Sequence, residues 1–581
     1  MKKVTVLFLA TIATMIFVGC KKDTQVVKLG VKVERPLYDG KVYLNGNIPF
    51  FEAGDQINVN GTDYPVIING TRTYVEADAD EDNNYYALFP ASLGSCSSTS
   101  YTIHLPHWQE YKTTTVNDQT VQKIDLPVAA KLNTEDGNVL QFYNLCSLLK
   151  VVWTNTSTTT DYTITGIDVT ATNGTEGVTL YGTGAVDFSG NTPTLTMSTN
   201  EKHNNRVILD IPEGNQNVVV HGTTSNPYYI VLPQFTSAKV SVNIHVKNAD
   251  NQKVESIRLN TNSNVYLNSA EIIPMSYSGV PKQDNELTGY FSVSNNLKVV
   301  FSRGNLQHWG GTDYTTGTWK FADRQYDFFG DFNLSNGGYY RTDYTDLFTW
   351  SNSRSNDYGI HSYDAWDDNV TWLSGGNWRE WGNMPIQTNA SSTSTTGESN
   401  VWFTLTAAEW NYLINLRVPV NETPKAPQLR GRAHIYGIIN HPSGNDVTEV
   451  DGFILLPDDW ETEDLPSGLS FDPDEINEYN QAQWARMEAA GAMFLPAAGW
   501  TEPWGDDGYA VVNMYEDGAY WSSTRLGSGN TTIESQYLSF NYPRDQFLFI
   551  DESGYSSQWY CSRSVRLVKA APGYTVTGRW Q

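Results

Sequence analysis

The stretch "QINVNGTDYPVIINGTRTYVEA" (residues 56–77) alternates apolar and polar side chains and breaks twice at Asn-Gly, at Asn60-Gly61 and Asn69-Gly70. Period-two alternation puts one set of side chains on one face of a pleated strand. Asn-Gly supplies the positive backbone angles that a tight hairpin requires. Outward from there the pattern repeats. "KVSVNIHVKNADNQKVESIRL" (239–259) places Val240, Val242, Ile244 and Val246 on one face and then turns through 248–251. Helical periodicity is nearly absent up to about residue 278, and the Thr-rich "TNTSTTTDYT" (154–163) reads as a loop or a seam between two bodies. The chain to that point is therefore expected to form two antiparallel β-sandwiches, 28–155 and 156–278.

The N-terminus "MKKVTVLFLATIATMIFVGCKK" carries Lys2 and Lys3 and then an apolar run from Val4 to Val18. That run is short for a membrane span and has the form of an export signal over 1–19. Its end, Phe17-Val18-Gly19-Cys20, resembles the bacterial lipobox, with Phe17 where Leu is usual. The resemblance implies cleavage before Cys20, acylation of Cys20 and a lipid-anchored tether over 20–27. An ordinary signal peptide that happens to hold a cysteine is the alternative. A net charge of −26 argues against a nucleic-acid partner, which needs clustered Lys and Arg. Cys96, Cys146 and Cys561 are too few for a disulfide scaffold; Cys146, in "LCSLLKVVW", reads as a small core residue, and a bridge to Cys96 stays open. With 581 residues the chain has room for three or four domains.

Four segments, "FEAGDQINVNG" (51–61), "YYALFPAS" (85–92), "DLPVAA" (125–130) and "FYNLCSLLKVVW" (142–153), resemble in this order the signatures of Bacteroidales fimbrillin-like proteins. The resemblance covers about 250 residues. It implies two transthyretin-like sandwiches, a surface-exposed lipoprotein of the outer membrane or a fimbrium, and fimbrial subunits as partners through strand exchange. One departure stands out. The processing arginine of stalk subunits has no clear match, because Arg35 precedes Pro36.

"SGVPKQDNELTG" (278–289) reads as a linker over 279–289, and beyond it the composition changes. Residues 324–382 are dense in Trp, Tyr and Phe among Asp, Asn and Gly, and "QTNASSTSTTGESN" (387–400) is a low-complexity loop. Two helices are expected. In 405–417, Thr406 and Glu409 form a capping box ahead of Trp410, Leu413 and Ile414; in 478–492, Asn480 and Gln483 cap, Trp484 and Met487 face inward, and Gly491 ends the helix. "LTAAEWNYL", "GFILLPDDW", "QWARMEAAGAMFLPAAG", "YWSST" (520–524) and "SVRLV" (564–568) together resemble the C-type-lectin-like domains of bacterial surface proteins, the Fibrobacter major paralogous type included. The resemblance covers most of 290–570 and implies an α+β domain over 290–581, with Trp521 and Val565 as core residues. The overall class is mostly β.

The chemistry is sparse. Trp521-Ser522-Ser523 lacks the carboxamide and carboxylate ligands that the calcium site of true C-type lectins takes from a Trp-Asn-Asp strand. Asp472, Asp474, Glu475 and Glu478 offer oxygen ligands suited to Ca²⁺, but Asp472-Pro473-Asp474-Glu475 reads better as a helix start, so no metal is expected. The lectin-like fold is shared with formylglycine-generating enzymes, which need paired cysteines, and Cys561 stands alone. Ser147 and Lys150 match Ser-x-x-Lys but fall in a strand; His104 and His107 flank Pro106 in strand context. The expectation is therefore no enzyme and no cofactor. Trp378 and Trp381 are the candidates for exposed rings that hold a glycan or protein ligand. Taken together, the chain reads as a cell-surface fimbrial adhesin subunit at a pilus tip. The rivals are an outer-membrane carbohydrate-binding lipoprotein outside any pilus and a degenerate enzyme.

Overall fold

The computed structural model describes residues 26–33, 51–349 and 400–576, with short internal interruptions, together with Trp381 and Ile386. It is mostly β. The strand pair Gln56–Val59 and Thr62–Pro65 turns through Asn60 (φ 49°) and Gly61 (φ 90°), the left-handed angles anticipated at Asn-Gly. These strands belong to an eight-stranded sheet that changes direction at Val139–Asn144. The first half of that strand runs parallel to Val26–Val33, whereas its last residues pair with Val128–Asn133. The two leaves enclose Leu29, Ile57, Val75, Tyr85, Phe89 and Phe142.

The second sandwich is built on two long antiparallel strands, Tyr162–Asn173 and Phe235–Asn248. Val240, Val242, Ile244 and Val246 all point into its core, as their alternation predicts. The boundary expected at 155/156 needs correction. Cys146–Asn155, assigned to the first sandwich, pairs with Tyr228–Pro233 and Ile272–Gly279 of the second. Ser100–Leu105 and Trp108–Glu110 also join sheets of the second body. The reason is physical. "LCSLLKVVW" is buried along most of its length, and an almost continuously apolar strand has no alternation to tell which sheet it enters.

The C-terminal module is α+β. Helix α1 (Ala407–Asn411) carries the Thr406/Glu409 capping box and runs into a π-helical turn, Tyr412–Leu416, burying Trp410, Leu413 and Ile414. Helix α2 (Gln481–Ala489) carries the Asn480/Gln483 box. It ends at Gly491 (φ 96°), where Gly491 N–H donates to Glu488 and Ala492 N–H to Met487, a Schellman closure. Asp517–Leu526 and Glu534–Asn541 form a bulged hairpin. Trp521 and Val565 are fully buried, and the Trp521 indole donates to the Phe348 carbonyl at 2.6 Å. The end of the expected linker is packed: Leu287 lies in the module's core, and Glu286 bridges Arg258 of the second sandwich and Lys569 of the module. Among the described residues no helix is long and apolar enough to cross a membrane.

Candidate functional site

The second sandwich meets the C-terminal module across a buried seam. The strand Arg206–Asp210 has every residue buried and carries a charge at each end. From one end, the Arg206 guanidinium spans Asp459, with Nε to Oδ2 at 3.1 Å and Nη2 to Oδ1 at 3.4 Å. It also donates to the Ala490 carbonyl at 2.7 Å and to Thr288 at 3.2 Å. From the other end, Asp210 accepts both prongs of Arg486 on α2, at 2.9 and 2.5 Å. Fork-to-carboxylate pairing is the geometry in which buried charges are best satisfied. Between the pairs, His107 stacks on Tyr181 with centroids 4.5 Å apart and lies 3.7 Å from Asp459. Burial pushes its imidazole down to about 4; Arg206 adds to that shift, and Asp459 opposes it. Trp108 closes the seam edge-on against Trp460.

Beside the seam opens a cleft of about 790 Å³. Phe235 and Tyr266 line it from the sandwich, and Tyr290, Lys298, Asp458 and Tyr574 line it from the module. Asp458 is held by Lys298 at 2.8 Å, by Arg417 at 3.4 Å and by the Ser292 hydroxyl at 2.6 Å. Burial alone would raise its carboxyl, but the two cations outweigh that and keep it below the usual carboxylate range.

The residues singled out from the sequence are not gathered in one place. Cys20 and Trp378 lie outside the described residues. Trp381, expected to stand exposed, is corrected: it is only 4% exposed and packs on Phe348 with centroids 5.1 Å apart, so its ring belongs to the core. The expected helix start at 472–475 is corrected too. Asp472 accepts from the Asp474 N–H in a local turn, residues 476–480 form a strand, and the helix begins only after Asn480. The strand Ile476–Asn480 wins because its backbone completes a ladder with Arg432–Tyr436. Among the described residues no group of three or more His, Cys, Asp or Glu is placed to hold a metal. Ser147 and Lys150 share one strand three residues apart, which puts them on opposite faces, and the Ser147 hydroxyl is bound to the Asn268 carbonyl. His104 is exposed whereas His107 is buried. Cys561 is buried, and desolvation pushes its thiol up to about 11. Sequence reading missed Arg206, Asp210, Asp459 and Arg486. The available signal was "RVILD", an apolar strand bracketed by opposite charges.

No family model matches the sequence, and no curated protein does. Among solved structures, a candidate cell adhesion protein from Bacteroides ovatus is 13% identical over 44% of this chain and 92% of its own, with a TM-score of 0.27. A fimbrial protein from Bacteroides ovatus is 11% identical over 49% of this chain and 58% of its own, at 0.19. The major pilin from Streptococcus pyogenes is 10% identical over 44% of this chain and 99% of its own, at 0.13. At such scores the overlaps carry no argument about fold or role.

Proposed function

We propose that this chain is a surface-exposed adhesive subunit of fimbrial type, anchored through acylated Cys20. It caps a pilus, works without a cofactor and catalyses nothing. The observation that carries the reading is the fate of the strand Ile272–Gly279. Polymerisation by strand exchange requires a donor segment free to reach an open sheet edge on a neighbour. Here the segment pairs in parallel with Leu148–Asn155 over eight positions, and the Trp153 indole donates to the Gly279 carbonyl at 3.0 Å. A few residues later the chain is pinned by Glu286 and Leu287 to the C-terminal module. Such a subunit does not donate, which suits a terminus with the C-terminal module outermost.

Immunogold labelling of intact cells tests this. Label confined to pilus tips supports the reading, whereas label along the shafts shows that the subunit donates after all. The anchor has its own test: Cys20→Ala is expected to leave the membrane fraction or stall in processing, and unchanged fractionation of that variant would end the lipoprotein reading.

A further inference from the structure

We infer that the cleft between the second sandwich and the C-terminal module is a binding site for a neutral, hydroxyl-rich ring ligand, that is, an uncharged glycan. This rests on the adhesive reading above and moves the ligand site away from the tryptophans first considered. A cleft of about 790 Å³ falls in the range of small-ligand sites.

Its charge state selects the ligand class. Among the described residues, the ionised side chains lining it are Lys298, Asp458 and Asp459. Lys298 pairs with Asp458, and Asp459 with Arg206. An anionic ligand would have to pull Lys298 from Asp458, and a cationic ligand would have to displace Lys298 or Arg206; each course breaks a buried ion pair. What the cleft offers instead is neutral: threonine hydroxyls and the amides of Asn205, Gln234 and Asn268. Two of these amides are already oriented, Gln234 by the Leu195 carbonyl at 2.9 Å and Asn268 by Glu271 at 2.9 Å. Preorganised amides lose little freedom when a hydroxyl docks.

The rim supplies faces for rings. Tyr266, in the middle of the short strand Val265–Leu267, is 68% exposed, and Phe235 and Tyr574 lie partly buried in the same cleft. Tyr290 adds a hydroxyl that burial pushes up to about 12, so it stays protonated and can donate. Rings to stack on, neutral donors and acceptors and, among the described lining residues, only charges already paired form a set that fits a sugar ring and suits neither an acidic chain nor a polyamine.

The test is an array of immobilised neutral and acidic glycans, probed with the full-length protein in detergent and with two variants. Tyr266→Ala removes an exposed ring and is expected to keep the fold. Tyr436→Ala removes a tyrosine 40% exposed on the strand Arg430–Tyr436, outside the cleft. The expected result is binding to neutral glycans, lowered about tenfold or more by Tyr266→Ala and unchanged by Tyr436→Ala. Binding confined to acidic glycans overturns the inference. So does neutral binding that Tyr266→Ala leaves intact, and so does the absence of any glycan binding. Pilus labelling separates the two claims: tip label with glycan binding indifferent to Tyr266 removes the cleft and keeps the adhesive subunit, whereas Tyr266-dependent binding without tip label does the reverse.

Discussion

Two seams join the three bodies of this molecule, and they differ in material: the first is an apolar cluster, whereas the second adds buried ion pairs to an apolar contact. Where the first sandwich meets the second, Leu88, Ile103, Leu105, Leu126, Leu145 and Leu148 interlock in an apolar cluster. Where the second meets the C-terminal module, Arg206–Asp459 and Asp210–Arg486 are buried as ion pairs. Apolar burial is roughly proportional to area and indifferent to direction, so the first seam stabilises without dictating an orientation. Forked ion pairs add little net free energy over an apolar replacement, but they satisfy their groups in one register only. On this view the second seam holds the C-terminal module, and the cleft beside it, at a fixed angle.

The harshest test of that contrast is to break one pair. Arg486→Ala leaves Asp210 buried without its partner and is expected to cost about 3–5 kcal/mol in denaturant unfolding. The double change Arg486→Met with Asp210→Leu is expected to return close to the parent stability. If instead the double variant stays as unstable as the single one, these charges stabilise the seam directly and do more than orient it.

Acid titration sharpens the comparison, because the seam and the module's interior respond with opposite sign. The folded His107 value of about 4 lies below the ordinary 6.5, so the unfolded chain takes up a proton that the folded one refuses. Stability from this group is lost as pH falls from about 6.5 to 4, by about 3 kcal/mol in all. Asp346 is fully buried and accepts from Asn333 and the Phe329 N–H; those hydrogen bonds favour the carboxylate, but desolvation outweighs them and raises its carboxyl to about 6 from 3.8. Its contribution is full below 3.8 and is lost as pH rises through 6, again by about 3 kcal/mol. Relative to the parent, His107→Phe should therefore lose stability as pH rises from 4 to 6.5, and Asp346→Asn should gain it. Parallel unfolding series at half-unit pH steps would show both slopes; two slopes of one sign refute the assignment.

A smaller effect belongs to the strand Tyr228–Pro233, whose outer edge lies near the first seam. Gln122 donates to the Tyr229 carbonyl and accepts from the Tyr229 N–H, both at 2.8 Å, and Gln109 does the same for Val231 at 2.7 and 2.8 Å. Two side-chain amides thus occupy the positions of a missing strand. Gln122→Leu strands a buried N–H and C=O and should cost about 1–3 kcal/mol. It should also open the edge to pairing between copies, visible as concentration-dependent light scattering. Unchanged scattering together with unchanged stability would mean that the edge is sealed by other groups.

Smallest of all is the effect of calcium. Asp472 is engaged with the Asp474 N–H, so thermal melts with and without chelator should coincide. A chelator-induced drop would show a folded-state metal site and would overturn the reading of 472–475 as a turn.

Local rules were legible in the sequence wherever the signal was local. The Asn60-Gly61 turn, both capping boxes and the Gly491 helix end depend on residues within four positions of one another, and the structure has each as read. At the second Asn-Gly the turn is shifted by one, since Asn69 ends a strand paired with Arg72 and the loop is Gly70-Thr71. Strand partnership was harder. "LCSLLKVVW" announced a buried strand but not which sheet would hold it. The start at 472–475 was misread because Asp-Pro-Asp-Glu satisfies a helix cap locally, while a parallel ladder to Arg432–Tyr436 decides the backbone from across the fold. Trp381 illustrates the same limit: a tryptophan among polar neighbours reads as exposed until Phe348 is placed against it.

By itself, the sequence determined the mostly β character, the Asn60-Gly61 turn and the helix caps, because each follows from side-chain chemistry over a few residues. Only the tertiary structure decided that Arg206 faces Asp459, 253 positions away, and that Arg486 faces Asp210, 276 positions away. The cleft beside them has the same origin, since its aromatic rim comes from segments more than two hundred residues apart. A buried charge signals only that it needs a partner; which partner it finds depends on how whole sheets pack, and no short window of sequence contains that information.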